Sequence, residues 1–593
     1  MNLKNFKISE SDMMREGIDL SEKFGYVQFA VWRKDAKRCN LCLYKDNKCI
    51  EKIKMFSGKS FGATDFFSVR LEASDIRGEL EGVTYNFESD RVHFVDQYPR
   101  LISGRQKFGK KGKDIRGCFV FDDFNWSGER RKHIPFKEMI MYQCHLRGFT
   151  KHSSSGVKHP GTFLGFKEKI SYLKELGVNT IIFLPIYDFN EIMTAEEAKS
   201  KEKKINFWGY TKDACYFAPK ASYASNPEEA VTECKEMIKA LHMNGFNVIL
   251  DMHLADKTVE FITECLRFYA IEYHIDGFLV DTNIIKADLV ENDPILRHCK
   301  FLGNYWNTSG GKASSEIFAN YNDEFLTISR RFLKSDEGQV YDFFNEFKQK
   351  AGDVSIVHYI TQKSGFTLRD LVSYDVKHND SNGEKNYDGT EYNYSWNCGQ
   401  EGPSRKKVVQ KMRFKQTKNA FSMLLLGLAT PMILAGDEFG RTQKGNNNAY
   451  CLDNTTTWVD WSGLEKNVET FEFVKKLIAF RKQCGVFYCD ELTTLDSKGV
   501  GLPGISNHGR EPWVTDFSYY SRELGVLFYG SYYEGKSIYI LFNFHWDSHE
   551  FYLPEIGKGD WKVLMSTEEK KGSISAKKTY DVEPRSIVVF EHD

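Results

Sequence analysis

The sequence predicts an α/β protein in which a β/α barrel stands between two all-β segments, and three observations predict it. From about residue 135 strand and helix alternate, and each strand ends in polar or acidic residues. Before about residue 130 the chain reads as all-β, and after the amphipathic helix ETFEFVKKLIAFRKQC it returns to short strands. A length of 593 residues is too great for one core and implies two to four domains.

The elements follow in order. YVQFAVW and RCNLCLY alternate or run apolar at strand length, and RGELEGVTYNFES reads as a strand after a glycine turn. The Lys- and Gly-rich stretch from Gly104 to Gly117 reads as a linker or exposed loop. EMIMYQCHLRGF is a buried strand, FKEKISYLKELG an amphipathic helix closed by Gly177, and VNTIIFLPI the next strand. PEEAVTECKEMIKALHMNG and TVEFITECLRFYAIEYH have helical apolar spacing, and FNVILDMH and IDGFLVD are the strands that accompany them. VLFYGSYY, SIYILFNFH, EFYLP, WKVLMS and SIVVFEHD predict a C-terminal β-sandwich. The insertion from Ala195 to Asn206, rich in Lys and Glu, reads as a solvated loop or short helix and takes no function.

Composition narrows the function classes. Hydrophobic residues make up 41% and charged residues 27%, and the formal net charge is −1 with no long run of one sign. A nucleic acid or membrane-surface partner wants a basic patch, so neither is expected. No window approaches about 18 uninterrupted apolar residues, and the N-terminus lacks the apolar region of a secretory signal. The 13 cysteines are scattered, and Cys39 and Cys42 form a lone CxxC without a second pair. Reduced thiols, a cytoplasmic location and no metal or cofactor are the expectations. Aromatic residues reach 15%, which suits both sugar stacking and a thick core.

Several stretches carry a resemblance: MYQCHLRGFT, GTFLGFKEKISYLKELGVNTIIFLP, FWGYTKDACYFAPKASYAS, GFTLRDLVSYDVKHN, NYSWNCGQEG and PMILAGDEFGRTQKGNNNAYCLDNTTTWVDW. From about residue 17 to its end the chain resembles glycoside hydrolase family 13, in its isoamylase, pullulanase and glycogen-debranching branch. The resemblance implies a (β/α)8 TIM barrel over 131–488, an N-terminal β-sandwich like a carbohydrate-binding module over 1–130, and a C-terminal β-sandwich over 489–593. It also implies retaining cleavage of α-glucosidic bonds, with a carboxylate nucleophile and a carboxylic acid about 5 Å apart.

Measured against the family's motifs, the reacting positions have changed. The nucleophile strand reads Gly277-Phe278-Leu279-Val280-Asp281, so the nucleophile position keeps Asp281 while the expected Arg is Leu279. The general-acid position falls on Asn304, and an amide has no proton to hand over. The transition-state stabiliser falls on Lys363, beside Gln362, when Ser364 is counted as one extra residue; without that gap Ser364 takes the place. The first conserved strand keeps Asp251 but carries Ala255 and Asp256 where Asn and His are expected, and His253 reads as a packing residue. Tyr210, Trp208, Asp251 and Trp306 are the candidate sugar-binding residues. Asp437 and Glu438 read as loop anchors. Only 30 residues separate Asp251 and Asp281, and one helix over about 258–273 fills the interval, which predicts an open cleft.

The expected function is that of a debranching-type protein of carbohydrate metabolism without hydrolytic activity. Its expected partners are an α-glucan, glycogen or a maltooligosaccharide, and an active debranching or branching enzyme. Weak or altered α-1,6 hydrolysis through Asp281, and a structural or regulatory role without sugar binding, are the alternatives. Lys363 is expected within salt-bridge reach of Asp281.

Overall fold

The computed structural model describes residues 5–13, 15–59, 62–194, 198, 204–308, 312–568, 575–576 and 578–593. Most of the Lys- and Glu-rich insertion lies outside these residues. At its end, Lys204 pairs with Glu384 at 3.0 Å.

Two antiparallel sheets of five and six strands form the N-terminal unit. Tyr26–Trp32 alternates Val27, Phe29 and Val31 into the space between them, where they meet Leu41, Leu43, Phe67, Val69, Tyr85 and Phe87. Asn40–Lys45 lies inside its sheet, flanked by Thr84–Ser89 and Lys48–Lys54. RGEL is helical rather than extended: Asp75 accepts from the Gly78 N–H at 2.9 Å and caps Ile76–Leu80, and the strand begins only at Thr84. The polar stretch after Gly104 is a loop closed by pairing of Ile102–Ser103 with Arg116–Cys118.

The barrel strands are β1 (Met141–Cys144), β2 (Thr180–Phe183), β3 (Asn247–Asp251), β4 (Gly277–Leu279), β5 (Lys300–Gly303), β6 (Phe318–Tyr321), β7 (Ser355–His358) and β8 (Thr430–Leu434). All pair in parallel, and β8 closes on β1. Their inward residues fill the lumen: Met141, Ile182, Ile249, Leu279, Leu302, Ala319, Val357 and Met432 make one apolar cluster. LRGF, expected as strand, turns into the helix Leu146–Thr150, where the His145 ring accepts from the Gly148 N–H at 3.0 Å. The helix expected over FKEKISYLKELG is two short helices, Phe163–Lys167 and Ile170–Leu176. Gly177 ends the second at φ +96°, a conformation that disfavours any side chain. Between β3 and β4 stands the single helix Val259–Glu272, capped by the Thr258 hydroxyl.

The C-terminal unit is a six-stranded sheet packed on a two-stranded one, with Leu527, Tyr539, Leu541, Phe551, Val588 and Phe590 between them. Its opposite face sits on the barrel, where Phe542 meets Phe343 and Phe347 at ring-centroid distances of 5.4 and 5.5 Å. Among the described residues no helix is long and apolar enough to cross a membrane. All 13 cysteines are free thiols.

A buried acid in the N-terminal unit contributes a pH dependence. Asp96 is enclosed near Tyr85 and Arg100, and burial pushes its carboxyl up to about 7. A pKa raised in the folded state favours folding in the protonated form. The contribution is complete below about pH 4 and is lost as pH rises through about 7. Calorimetric melting of Asp96→Asn from pH 5 to 8 should show a shallower fall in Tm than the parent and a higher Tm at pH 8. An identical slope in both proteins would remove Asp96 as a contributor.

Candidate functional site

The C-terminal ends of the barrel strands build one depression. β3 delivers Asp251 as its last residue, β4 leads into Asp281, β5 into Asn304, β6 ends on Tyr321, and the segment after β7 carries Gln362 and Lys363. Together with Tyr210, His253 and Leu279 these residues line a cavity of about 260 Å³. Nine positions singled out in the sequence therefore converge: Asp281, Asn304, Lys363, Tyr210, Asp251, Leu279 and Gln362, with His253 and Ala255 beside them.

A polar lock crosses this cavity. The Lys363 ammonium lies 3.1 Å from Asp251 Oδ2, and the Tyr210 hydroxyl donates to the same oxygen at 2.5 Å. Lys363 Nζ also stands 5.1 Å from the centre of the Tyr210 ring. The expected pairing of Lys363 with Asp281 is thus corrected: the ion-pair partner is Asp251. Position explains the choice. Gln143, buried on β1, accepts from the Lys363 backbone N–H at 2.8 Å and fixes where the stem starts. Asp251 is 9% exposed at its side chain, whereas Asp281 is open to solvent and receives the Asn283 backbone and side-chain N–H groups at 2.9 and 3.0 Å. An ammonium gains more from a carboxylate shielded from water than from one already solvated.

The neighbours are tuned by the same burial. Burial, reinforced by Asp251, raises the Tyr210 hydroxyl well above its ordinary range, so it remains a donor to that carboxylate. His253 was expected only to pack, yet it lines the cavity with its ring 5.2 Å from Tyr210. Burial lowers its pKa, and the Lys363 charge lowers it further against the opposing pull of Asp251. Sequence reasoning missed Tyr321. The run Phe318-Ala319-Asn320-Tyr321 immediately before the helix Asp323–Leu333 was the signal that could have found it.

Three candidates stand elsewhere. Trp306, expected to bind sugar, is 3% exposed and packs on Phe318 and Phe301 at 4.6 and 6.1 Å, so it belongs to the core behind β5. Trp208 is half-buried between Tyr210 and Tyr450, outside the cavity lining. Asp256 is exposed and paired with Lys212. Asn304 reaches the rim exposed, and Leu279 belongs to the apolar lumen cluster. Asp437 and Glu438 do anchor loops. The Asp437 carboxyl accepts from Thr361 Oγ1 at 2.5 Å and the Leu368 N–H at 3.0 Å, and burial pushes it up to about 7. Glu438 accepts from the hydroxyls of Tyr142 and Tyr172.

Chemically, the cavity can hold a polar neutral ligand against Tyr210, His253, Asn304 and Gln362, with one carboxylate already satisfied by a lysine. Its lining carboxyl groups are Asp251 and Asp281. Asn304 cannot act as a general acid.

No family model matches the chain. Isoamylase 3, chloroplastic, of Oryza sativa subsp. japonica is 30% identical over 582 residues, spanning 80% of this chain and 74% of the relative. The chain belongs to the isoamylase and glycogen-debranching branch of glycoside hydrolase family 13. Within that branch, isoamylase 1, chloroplastic, of Arabidopsis thaliana is 28% identical and covers 92% of this chain and 83% of its own. The pullulanase type I of Bacillus subtilis str. 168, solved with maltose, superposes with a TM-score of 0.72 at 20% identity, covering 98% of this chain and 86% of that one. This isoamylase-branch chain therefore has the family's architecture, a (β/α)8 barrel flanked by β-sandwiches, as part of carbohydrate metabolism.

Proposed function

We propose that this isoamylase-branch protein binds α-glucan, glycogen or a maltooligosaccharide, without hydrolysing it, and acts as a glucan-binding or partner subunit beside an active debranching or branching enzyme. The observation that carries the reading is the Lys363–Asp251–Tyr210 lock beside Asn304 and Leu279. If the family's motif positions carry over, the Lys363 cation takes the place of the transition-state stabiliser, Asn304 that of the acid and Leu279 that of the guanidinium that orients Asp281, and the pairing of Lys363 with Asp251 and Tyr210 supports this reading. In this reading the units over 1–130, 131–488 and 489–593 are the domains, with the first a carbohydrate-binding-module-like platform. The place of action is the cytoplasm, and neither cofactor nor metal takes part at the barrel mouth.

Binding survives the loss of acid chemistry because hydroxyl recognition needs only donors, acceptors and flat rings. Tyr305, 70% exposed next to Asn304, offers a ring to a sugar face beside the cavity. Glycogen affinity electrophoresis tests this. The wild-type chain should be retarded with no reducing ends released, and Tyr305→Ala should weaken retention about fivefold, equivalent to ~1 kcal/mol. Equal mobility with and without glycogen would overturn glucan binding and leave the structural or regulatory role. A second reading, weak hydrolysis through Asp281, draws on the solvent exposure of that carboxylate and on its freedom from the Lys363 pair.

A further inference from the structure

The CxxC of the N-terminal unit is not a chelating pair. Strand alternation sends Cys39 into the core between the two sheets and Cys42 to the opposite face, away from that core. On that outer face Cys42 meets two other metal-ligating side chains, Glu88 and His93, whose ligand atoms all lie within 4.8 Å of one another. We propose that Cys42 Sγ, a Glu88 carboxylate oxygen and His93 Nε2 form a three-ligand Zn2+ site, with water in the fourth position.

The geometry is close to that of a tetrahedral site before closure. Cys42 Sγ lies 4.0 Å from Glu88 Oε2, and His93 Nε2 lies 3.7 Å from the same oxygen. Bonds of ~2.3 Å to sulfur and ~2.0–2.1 Å to nitrogen and oxygen place tetrahedral ligands roughly 3.3–3.6 Å apart, so the two separations to Glu88 close by a few tenths of an ångström and the third, within 4.8 Å, by up to about 1.2 Å. The backbone holds the set in register: Glu88 pairs with Asn40 on one side and with His93 on the other.

A second layer orients the imidazole. His93 Nδ1 stands 3.3 Å from Asn86 Oδ1 and 3.4 Å from the Tyr44 hydroxyl, which itself donates to Asn86 Oδ1 at 3.1 Å. An Nδ1–H donated to Asn86 leaves the Nε2 lone pair facing the cluster, the arrangement metal-binding histidines use. A cation already sits here, since the Lys52 ammonium pairs with Glu88. Lys52 is 48% exposed at its side chain, and its flexible stem can swing into water when a metal takes its place. The mixed sulfur, nitrogen and oxygen donors suit Zn2+ better than Mg2+ or Ca2+. Zn2+ takes the thiolate form of Cys42, so binding would release the thiol proton to solvent as the Zn–S bond forms. The ion would tie the short outer strand Val92–Phe94 to its sheet.

The test strips the full chain with a chelator and titrates it with Zn2+ by calorimetry and with Co2+ by absorption. One equivalent should bind, and Co2+ should give thiolate-to-metal charge-transfer absorption. Cys42→Ser should abolish that absorption and weaken Zn2+ by about 100-fold or more. Cys49→Ser should leave both unchanged, and Lys52→Ala should tighten binding. If Cys42→Ser fails to fold, His93→Ala at a half-exposed position decides, and unchanged affinity there overturns the site. So does charge-transfer absorption that persists in Cys42→Ser, or the absence of stoichiometric binding. Glucan retention is read separately, so the result is independent of the role given to the barrel mouth.

Discussion

On glycogen and pullulan, at high protein concentration over a day, the wild-type chain and its Asp281→Asn variant should give the same flat reducing-end traces. In the reading proposed above, Asn304 holds the general-acid position, and that change alone would remove a factor of about 10²–10⁴, or ~3–5 kcal/mol of transition-state stabilisation. Leu279 gives Asp281 neither charge nor hydrogen bond, and Asp281 accepts from Asn283 instead. In the same reading the Lys363 ammonium beside Asp251 would add positive charge near a centre that itself becomes positive during glycoside cleavage. These effects share one site and do not add independently, but each acts in the same direction. Release of reducing ends that disappears in Asp281→Asn would mean that a carboxylic acid outside the cavity lining reaches the glycosidic oxygen, and the non-hydrolytic reading would fall.

The second large effect is on stability. Lys363→Met should cost about 3 kcal/mol in urea unfolding, because it leaves the Asp251 carboxylate buried with the Tyr210 hydroxyl as its remaining donor. Lys363→Met combined with Asp251→Leu should recover most of that loss, since the apolar pair leaves no charge uncompensated. A double variant whose loss equals the sum of the two single losses would show that the residues do not interact, contrary to their 3.1 Å contact.

The barrel was legible because its strands and helices have different periods, and the change of period marks each boundary. FNVILDMH and IDGFLVD become β3 and β4 with their acids at the rim, as the alternation requires. The partner of Lys363 was not legible. Asp251 and Asp281 end adjacent strands, and the choice between them depends on their unequal burial, which no spacing encodes. Trp306 was misplaced for a related reason. It follows β5 directly, but its ring turns toward Phe318 of β6, a neighbour that only the closed barrel supplies. RGEL carried a readable helix signal in Asp75, three residues before the N–H it caps, but the glycine beside it suggested a turn.

Leu279 also makes the present state hard to leave. Its side chain lines the cavity on one side and on the other joins an apolar plug with Met141, Ile182, Ile249 and Leu302. An arginine placed at 279 would drive a guanidinium toward that plug, and an unmatched buried charge is among the costliest single changes a core can undergo. The lumen thereby acts as a filter on the barrel mouth: an aliphatic side chain at 279 can be exchanged for another, while a charged one must be matched by a second change in the plug.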